Sequence, residues 1–254
     1  MVLCINIGNS NIKFAFFTNN ELTHAFKLQT NINKSIDNYM KETEYLILNK
    51  KIRVKDINAT IVASVVPELT EVFLHIAHKN FKAQPLLFSN SIDVGIDLAY
   101  QQPEYLGTDR IANLVAMKHK YNRPAIVADF GTATTYDAIT NNTHLGGVIA
   151  PGIKTTLNLL KKSTAQLPEI ELKAPKSIWG HSTIECMQAG ITYSAAFAAN
   201  GIIREMKKDM PNNTVVAATG GLASFIAPFS CEIEIVNDHL TLEGLYHIYK
   251  HIKK

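Results

Sequence analysis

A chain of 254 residues with 46% hydrophobic and 19% charged side chains is long enough to bury a sizeable core, and that balance excludes intrinsic disorder. Its 25 basic and 22 acidic residues leave a net charge of only +3, which excludes a strongly basic nucleic-acid surface and directs expectation to a small ligand. Three cysteines, Cys4, Cys186 and Cys231, lie in no metal-binding spacing and read as reduced thiols. No window approaches the roughly 20 apolar residues of a membrane helix, so a cytoplasmic protein with neither nucleic acid nor membrane as partner is expected.

The opening third alternates apolar runs with Asn- and Gly-rich turns: residues 2–7, 13–17 and 21–28 read as a meander of three strands, with Asn19-Asn20 as the turn between the last two. A helix follows at 35–49. Residues 59–65 form a β-branched run suited to a buried strand and ended by Pro67, and 68–79 have helical spacing through Leu69, Val72, Phe73 and Ile76. After the loop containing Pro103, a one-faced helix over 111–119 is stopped by Asn122-Arg123-Pro124. The opening then repeats: strands at 125–129, 134–139 and 143–149, the last two joined by Asn141-Asn142. Beyond Pro151-Gly152 the chain is mainly helical, interrupted by a segment at 168–175 and a short strand at 214–218. Two domains are expected, 1–115 and 116–254.

The repeat carries the chemistry. Each copy runs from an apolar strand into a polar residue, a glycine and a hydroxyl-rich turn: Asn6-Ile7-Gly8-Asn9-Ser10-Asn11, and Asp129-Phe130-Gly131-Thr132-Ala133-Thr134. Glycine lets the backbone approach an anion, and the amides and hydroxyls that follow can donate to phosphate oxygens. A plain hairpin turn is the alternative reading of the first copy, and a carboxylate capping its own turn that of the second. Asp129, at the end of a buried strand, needs a cation or several donors. A third glycine element, Thr219-Gly220-Gly221, leads a strand into a helix. Between the copies, Gly107-Thr108-Asp109-Arg110 offers a base and a guanidinium fork, or simply a helix cap with Arg110 in solvent. Gly146 to Gly152 suits a close-packed bend. Trp179 reads as a core or interface anchor, and His247 with His251 as part of a solvated terminal face.

Taken in order, NIGNSNIK, Tyr100 followed by LGTDR, DFGTATTYD, GGVIAPG, the GHST run at 180–183, ATGGLA and the closing NDHLTLEGL resemble type III pantothenate kinases over nearly the whole chain. The resemblance implies an α/β fold of two ribonuclease-H-like domains of the acetate and sugar kinase, Hsp70 and actin type facing a central cleft, and a homodimer. It implies ATP-dependent phosphorylation of pantothenate, the first step of coenzyme A synthesis, with Mg2+ or another divalent cation and with K+ or NH4+. Carried onto this chain, Asn6, Ile7, Gly8, Asn9, Ser10, Asn11, Ile12 and Lys13 would bind ATP phosphates, with Thr132 also touching ATP. Asp109 would be the proton acceptor and Asp129 the ligand of the monovalent ion. Tyr100, Gly107, Thr108, Asp109, Arg110 and Thr183 would form the pantothenate pocket. Two positions depart from the pattern. Asn6 stands where aspartate is usual, removing a charge that would help hold magnesium, and Ser182 stands where asparagine is usual. The first departure leaves an alternative, a non-catalytic nucleotide-binding or regulatory protein of the same fold.

Overall fold

The computed structural model describes residues 1–81 and 84–253. Contacts divide the chain into two compact units, Met1–His119 joined by the segment from His239 onward, and Lys120–Asp238. The boundary expected at 115/116 falls inside a helix that both sides of that boundary share.

In the first unit, β1 (Val2–Ile7), β2 (Asn11–Thr18) and β3 (Glu21–Gln29) form an antiparallel meander. Asn19 and Asn20, at φ of 52° and 71°, take the left-handed conformations that a tight hairpin requires and that asparagine tolerates. The helix α1 (Ile36–Asn49) starts at Ser35, whose hydroxyl accepts from Asn38 N. Next, β4 (Ala59–Ser64) lies parallel to β1. Pro67, with its φ pre-set for the first helical turn, opens α2 (Pro67–Phe81). The short strand β5 (Leu86–Leu87) pairs with β4, giving the order β3-β2-β1-β4-β5. A second short strand, β6 (Asp97–Leu98), precedes α3 (Thr108–Tyr121).

Alternation along β1 and β2 separates two faces. Leu3, Ile5, Ile7, Ile12, Phe14 and Phe16 are fully buried and join Tyr39 of α1 and Phe73 of α2 in one core. At about 1.5–3 kcal/mol per large apolar side chain, this layer holds the helices to the sheet. The opposite face carries Cys4 and Asn6.

The second unit repeats the plan. β7 (Ala125–Phe130), β8 (Ala133–Thr140) and β9 (Thr143–Pro151) form another meander, whose Asn141-Asn142 turn has φ of 48° and 66°. α4 (Ile153–Ser163) and the long α5 (Thr183–Lys207) follow, with no regular element at 168–175 between them. β10 (Val215–Thr219) lies parallel to β7, and after the short α6 (Ala223–Ile226), β11 (Ile235–Val236) lies parallel to β10. Within the unit the order is β9-β8-β7-β10-β11, the order of the first unit strand for strand. Its core joins Ile126, Ala128, Phe130 and Tyr136 to Ile191, Ala199 and Ile203 of α5. Tyr136 is so enclosed that its hydroxyl pKa is pushed up to about 12 by desolvation.

The last helix, α7 (Leu240–Ile252), belongs to the first unit and packs on β1, β2 and β4. Tyr246 stacks on Phe17, which lies across from Val2 and so on the Cys4 side of the sheet. The helix buries Leu242, Leu245 and Ile248, while of the face expected to be solvated His251 is exposed and the half-buried His247 stacks on His119 at 4.4 Å. Gly244 is required by proximity: a Cβ there would sit 1.8 Å from the Ala112 carbonyl oxygen of α3.

Candidate active site

The first glycine turn sits where β1 ends. Gly8 N donates to Asn11 O at 3.0 Å, closing the turn. It is braced from β3, because the Thr30 hydroxyl donates to Gly8 O at 2.6 Å and Thr30 N to Ser10 O at 3.1 Å. This bracing leaves Asn9 and Ser10 exposed on a fixed loop. Ile7 and Ile12 are fully buried in the core, so within the 6–13 segment they offer only backbone groups to a ligand. Asn6 is 6% exposed, and its Oδ1 meets no hydrogen-bond partner among the described residues. A buried amide oxygen left in this state is costly unless a ligand completes it.

The Gly107-Thr108-Asp109-Arg110 segment lies beside that turn. Thr108 Oγ1 donates to Ser64 O at 3.5 Å, and Ser64 is the cross-strand partner of Ile7, the residue just before Gly8. The start of α3 and the glycine turn therefore meet at the carboxyl ends of two neighbouring parallel strands, the usual place for a ligand on an open α/β sheet. Asp109 Oδ1 accepts from Arg110 N at 2.8 Å. A Cβ on Gly107 would lie 2.6 Å from that oxygen, so only glycine leaves the carboxylate its place. Arg110 is not in solvent: it is 7% exposed, with its guanidinium 5.9 Å from the centre of the Tyr100 ring. Leu106, just upstream, is buried, and Asn90 Nδ2 holds the approach through the carbonyls of Pro103 at 3.2 Å, Glu104, and Leu106 at 3.3 Å.

In the second unit, Asp129 is the penultimate residue of β7 and Thr219 is its cross-strand neighbour on β10. Thr219 is fully buried with its hydroxyl unpartnered. Glycines surround the carboxylate: a Cβ on Gly131 would lie 3.5 Å from Asp129 Oδ1, and one on Gly220, whose φ is 95°, only 2.5 Å away. Gly152 presses on the Thr132 carbonyl, which also accepts from Thr155 Oγ1 at 2.7 Å. The glycines of GGVIAPG and ATGGLA thus shape the turn bearing Asp129 and Thr132. A carboxylate and a desolvated hydroxyl side by side form an oxygen donor set that fits a monovalent cation.

A divalent ion held by protein carboxylates does not fit the first turn, which supplies only a neutral amide and hydroxyls. No group of three or more His, Cys, Asp or Glu residues suited to a metal occurs among the described residues. Asp137 does not supply the missing charge either, because it is 1% exposed and its Oδ1 lies 2.9 Å from Nε2 of the fully buried His144.

Thr183 begins α5, whose cap is Ser182 Oγ accepting from Glu185 N at 3.3 Å; Glu185 in turn accepts from His181 N. Thr183 is exposed at the rim of an apolar groove of about 550 Å³ lined by Ile153, Leu160, Met187 and Ile191. Trp179 is 76% exposed, so it is not a core anchor. Thr30 and Asn90 are additions that sequence patterns do not single out, since their roles come from contacts distant along the chain; Thr219 lies in the third glycine element, but its pairing with Asp129 is set by strand register.

Two units of identical strand order, each with a glycine turn after its first strand, define the acetate and sugar kinase, Hsp70 and actin class of fold. Solved structures of that class superpose along the chain. A conserved putative Baf family transcriptional activator from Campylobacter jejuni matches with a TM-score of 0.58 at 24% identity, covering 99% of this chain and 98% of the other. An inorganic polyphosphate/ATP-glucomannokinase from Arthrobacter sp. strain KM matches with a TM-score of 0.52 at 12% identity, covering 100% and 99%. Sequence comparison is narrower: the type III pantothenate kinase family model matches residues 2–205. A type III pantothenate kinase from Syntrophus aciditrophicus (strain SB) is 39% identical over 98% of this chain and 99% of its own length. The chain belongs to the type III pantothenate kinase family. No helix among the described residues is long and apolar enough to cross a membrane.

Proposed function

We propose that the protein transfers the γ-phosphoryl group of ATP to the hydroxyl of pantothenate, giving 4'-phosphopantothenate, the first step of coenzyme A synthesis. The observation that supports this, beside membership of the family, is that the start of α3, which bears Asp109, contacts through Thr108 the end of β4, where Ser64 pairs with Ile7 just before the Gly8 turn. Phosphoryl transfer passes through a loose transition state, so catalysis rests on positioning and charge rather than on a strong base. Asp109 orients the pantothenate hydroxyl and takes its proton as the P–O bond forms. The backbone of residues 6–13, with Asn9, Ser10 and Lys13, holds the phosphates, and Thr132 is a further ATP-binding residue. Arg110 and Tyr100 bind the pantothenate carboxylate, and Gly107, Thr108 and Thr183 are further pantothenate-binding residues.

A monovalent cation, K+ or NH4+, is held by Asp129 and Thr219. The divalent ion accompanies ATP rather than a protein carboxylate. Each unit acts as a ribonuclease-H-like domain of a cytoplasmic enzyme. The apolar groove and the exposed Ile184, Phe197 and Leu159 on α4 and α5 support a homodimer through the second unit. A non-catalytic role is less well supported, since Asp109 and the Arg110–Tyr100 contact are kept despite Asn6.

Purified protein given ATP, magnesium, potassium and pantothenate should form phosphopantothenate. Asp109→Asn should lower kcat by about 10²-fold or more without changing the melting temperature. Absence of turnover over a wide range of cation concentrations, or an Asn variant that melts earlier yet still turns over, would sink the assignment.

A further inference from the structure

The register of the first sheet places three residues in one row. Asn6 on β1 pairs with Lys13 on β2, and Lys13 pairs with Lys27 on β3. Residues directly opposite one another in antiparallel strands share a face, and neighbouring strands are about 4.8 Å apart, so the three side chains stand side by side. The row lies at the end of β1 from which the glycine turn begins. Its far member is fixed to that turn, since Thr30, three residues beyond Lys27, bonds both Gly8 and Ser10. Neither lysine forms an ion pair among the described residues. The row therefore carries two positive charges, no carboxylate, and a 94% buried amide whose oxygen is unpartnered.

We propose that Asn6, Lys13 and Lys27 form a polyphosphate cradle that needs no protein-held divalent cation, with Lys27 a phosphate-binding residue beyond the loop itself. The proposal rests on the reading of the chain as an ATP-using kinase. An aspartate at position 6 can only accept hydrogen bonds and repels a phosphate unless a cation stands between them. An asparagine does both jobs: Oδ1 accepts from an ammonium group, and Nδ2 donates to a phosphate oxygen. The lysine row then gives the triphosphate the counter-charge that a carboxylate-bound metal would otherwise bring. Lys27, one strand further out than Lys13, extends that charge towards the distal end of the phosphate chain.

The test is equilibrium binding of ATP to the full-length protein, by calorimetry, in EDTA and in magnesium. The wild-type protein should bind ATP in EDTA within about 3-fold of its affinity in magnesium, and Asn6→Asp should lose about 10-fold or more in EDTA and recover when magnesium is added. Lys27→Met should weaken ATP binding in EDTA about 5-fold or more and leave adenosine binding unchanged, while Lys27→Arg should keep the wild-type affinity. Melting curves without nucleotide separate these effects from misfolding. Loss of wild-type ATP binding in EDTA, or a Lys27→Met variant indistinguishable from wild type, overturns the cradle. Pantothenate phosphorylation is scored separately. ATP binding in EDTA without phosphorylation would refute the kinase assignment and keep the cradle; phosphorylation with ATP binding only in magnesium would do the reverse.

Discussion

Gly107 shows how a residue without a side chain sets the position of one with a charge. A methyl group there would stand 2.6 Å from Asp109 Oδ1, so the carboxylate would have to turn away. Because a displacement of about 1 Å at a reacting group costs about 10²-fold in rate, Gly107→Ala should lower kcat to that extent while leaving the KM for ATP nearly unchanged. Steady-state kinetics with each substrate varied would check it; an unchanged kcat would show that the carboxylate has another productive place. The residue types of this segment are legible in the sequence, and so is the suitability of Asp109 as an acceptor. The burial of Arg110 is not, because nothing local tells that Tyr100, ten residues upstream, covers it. Lys27 is hidden for the same reason: only strand register aligns it with Asn6.

Among the elements, the two meanders are the most readable, since alternating apolar runs separated by Asn-Asn turns leave few other structures open. Both turns adopt the positive φ values that asparagine tolerates. Pro67 and Ser35 mark helix starts equally plainly. The terminal helix is harder to place, because α7 shows one apolar face that fits several docking partners and its contact with α3 joins segments far apart in sequence. Gly244 is the trace of that contact. Since the obstruction at Gly244 is the Ala112 backbone rather than a flexible side chain, Gly244→Ala should destabilise by about 1–3 kcal/mol or more through overpacking. For a chain of this size that corresponds to a fall of about 2–4 °C in melting temperature per kcal/mol. A variant melting with the wild type would mean that the two helices separate readily.

For the whole molecule, the doubled strand order was the level most open to sequence, because the two Gly-turn motifs stand at corresponding positions of similar halves. What the sequence does not divide is the assignment of the last segment, which contributes to the first unit from the far end of the chain. The proposed dimer belongs to this scale as well. Phe197 is 58% exposed on α5 near the apolar groove, and such a patch on an unpartnered surface is unusual. Light scattering should give twice the chain mass for the wild type, and Phe197→Glu should shift the population to the monomer at micromolar concentration. A wild-type protein that remains monomeric would refute the interface.

The return of α7 also gives the chain an order of manufacture. Residues 120–238 form one compact unit from a continuous stretch of chain, whereas the first unit lacks the helix that covers the Phe17 side of its sheet until residues beyond 239 have been made. At synthesis rates of about 5–20 residues per second, the interval between the two is roughly 6–25 s. During that interval the Phe17 side of the first sheet is without the helix that covers it. The Gly8 turn thus belongs to a unit that is finished only when the segment from His239 onward is in place.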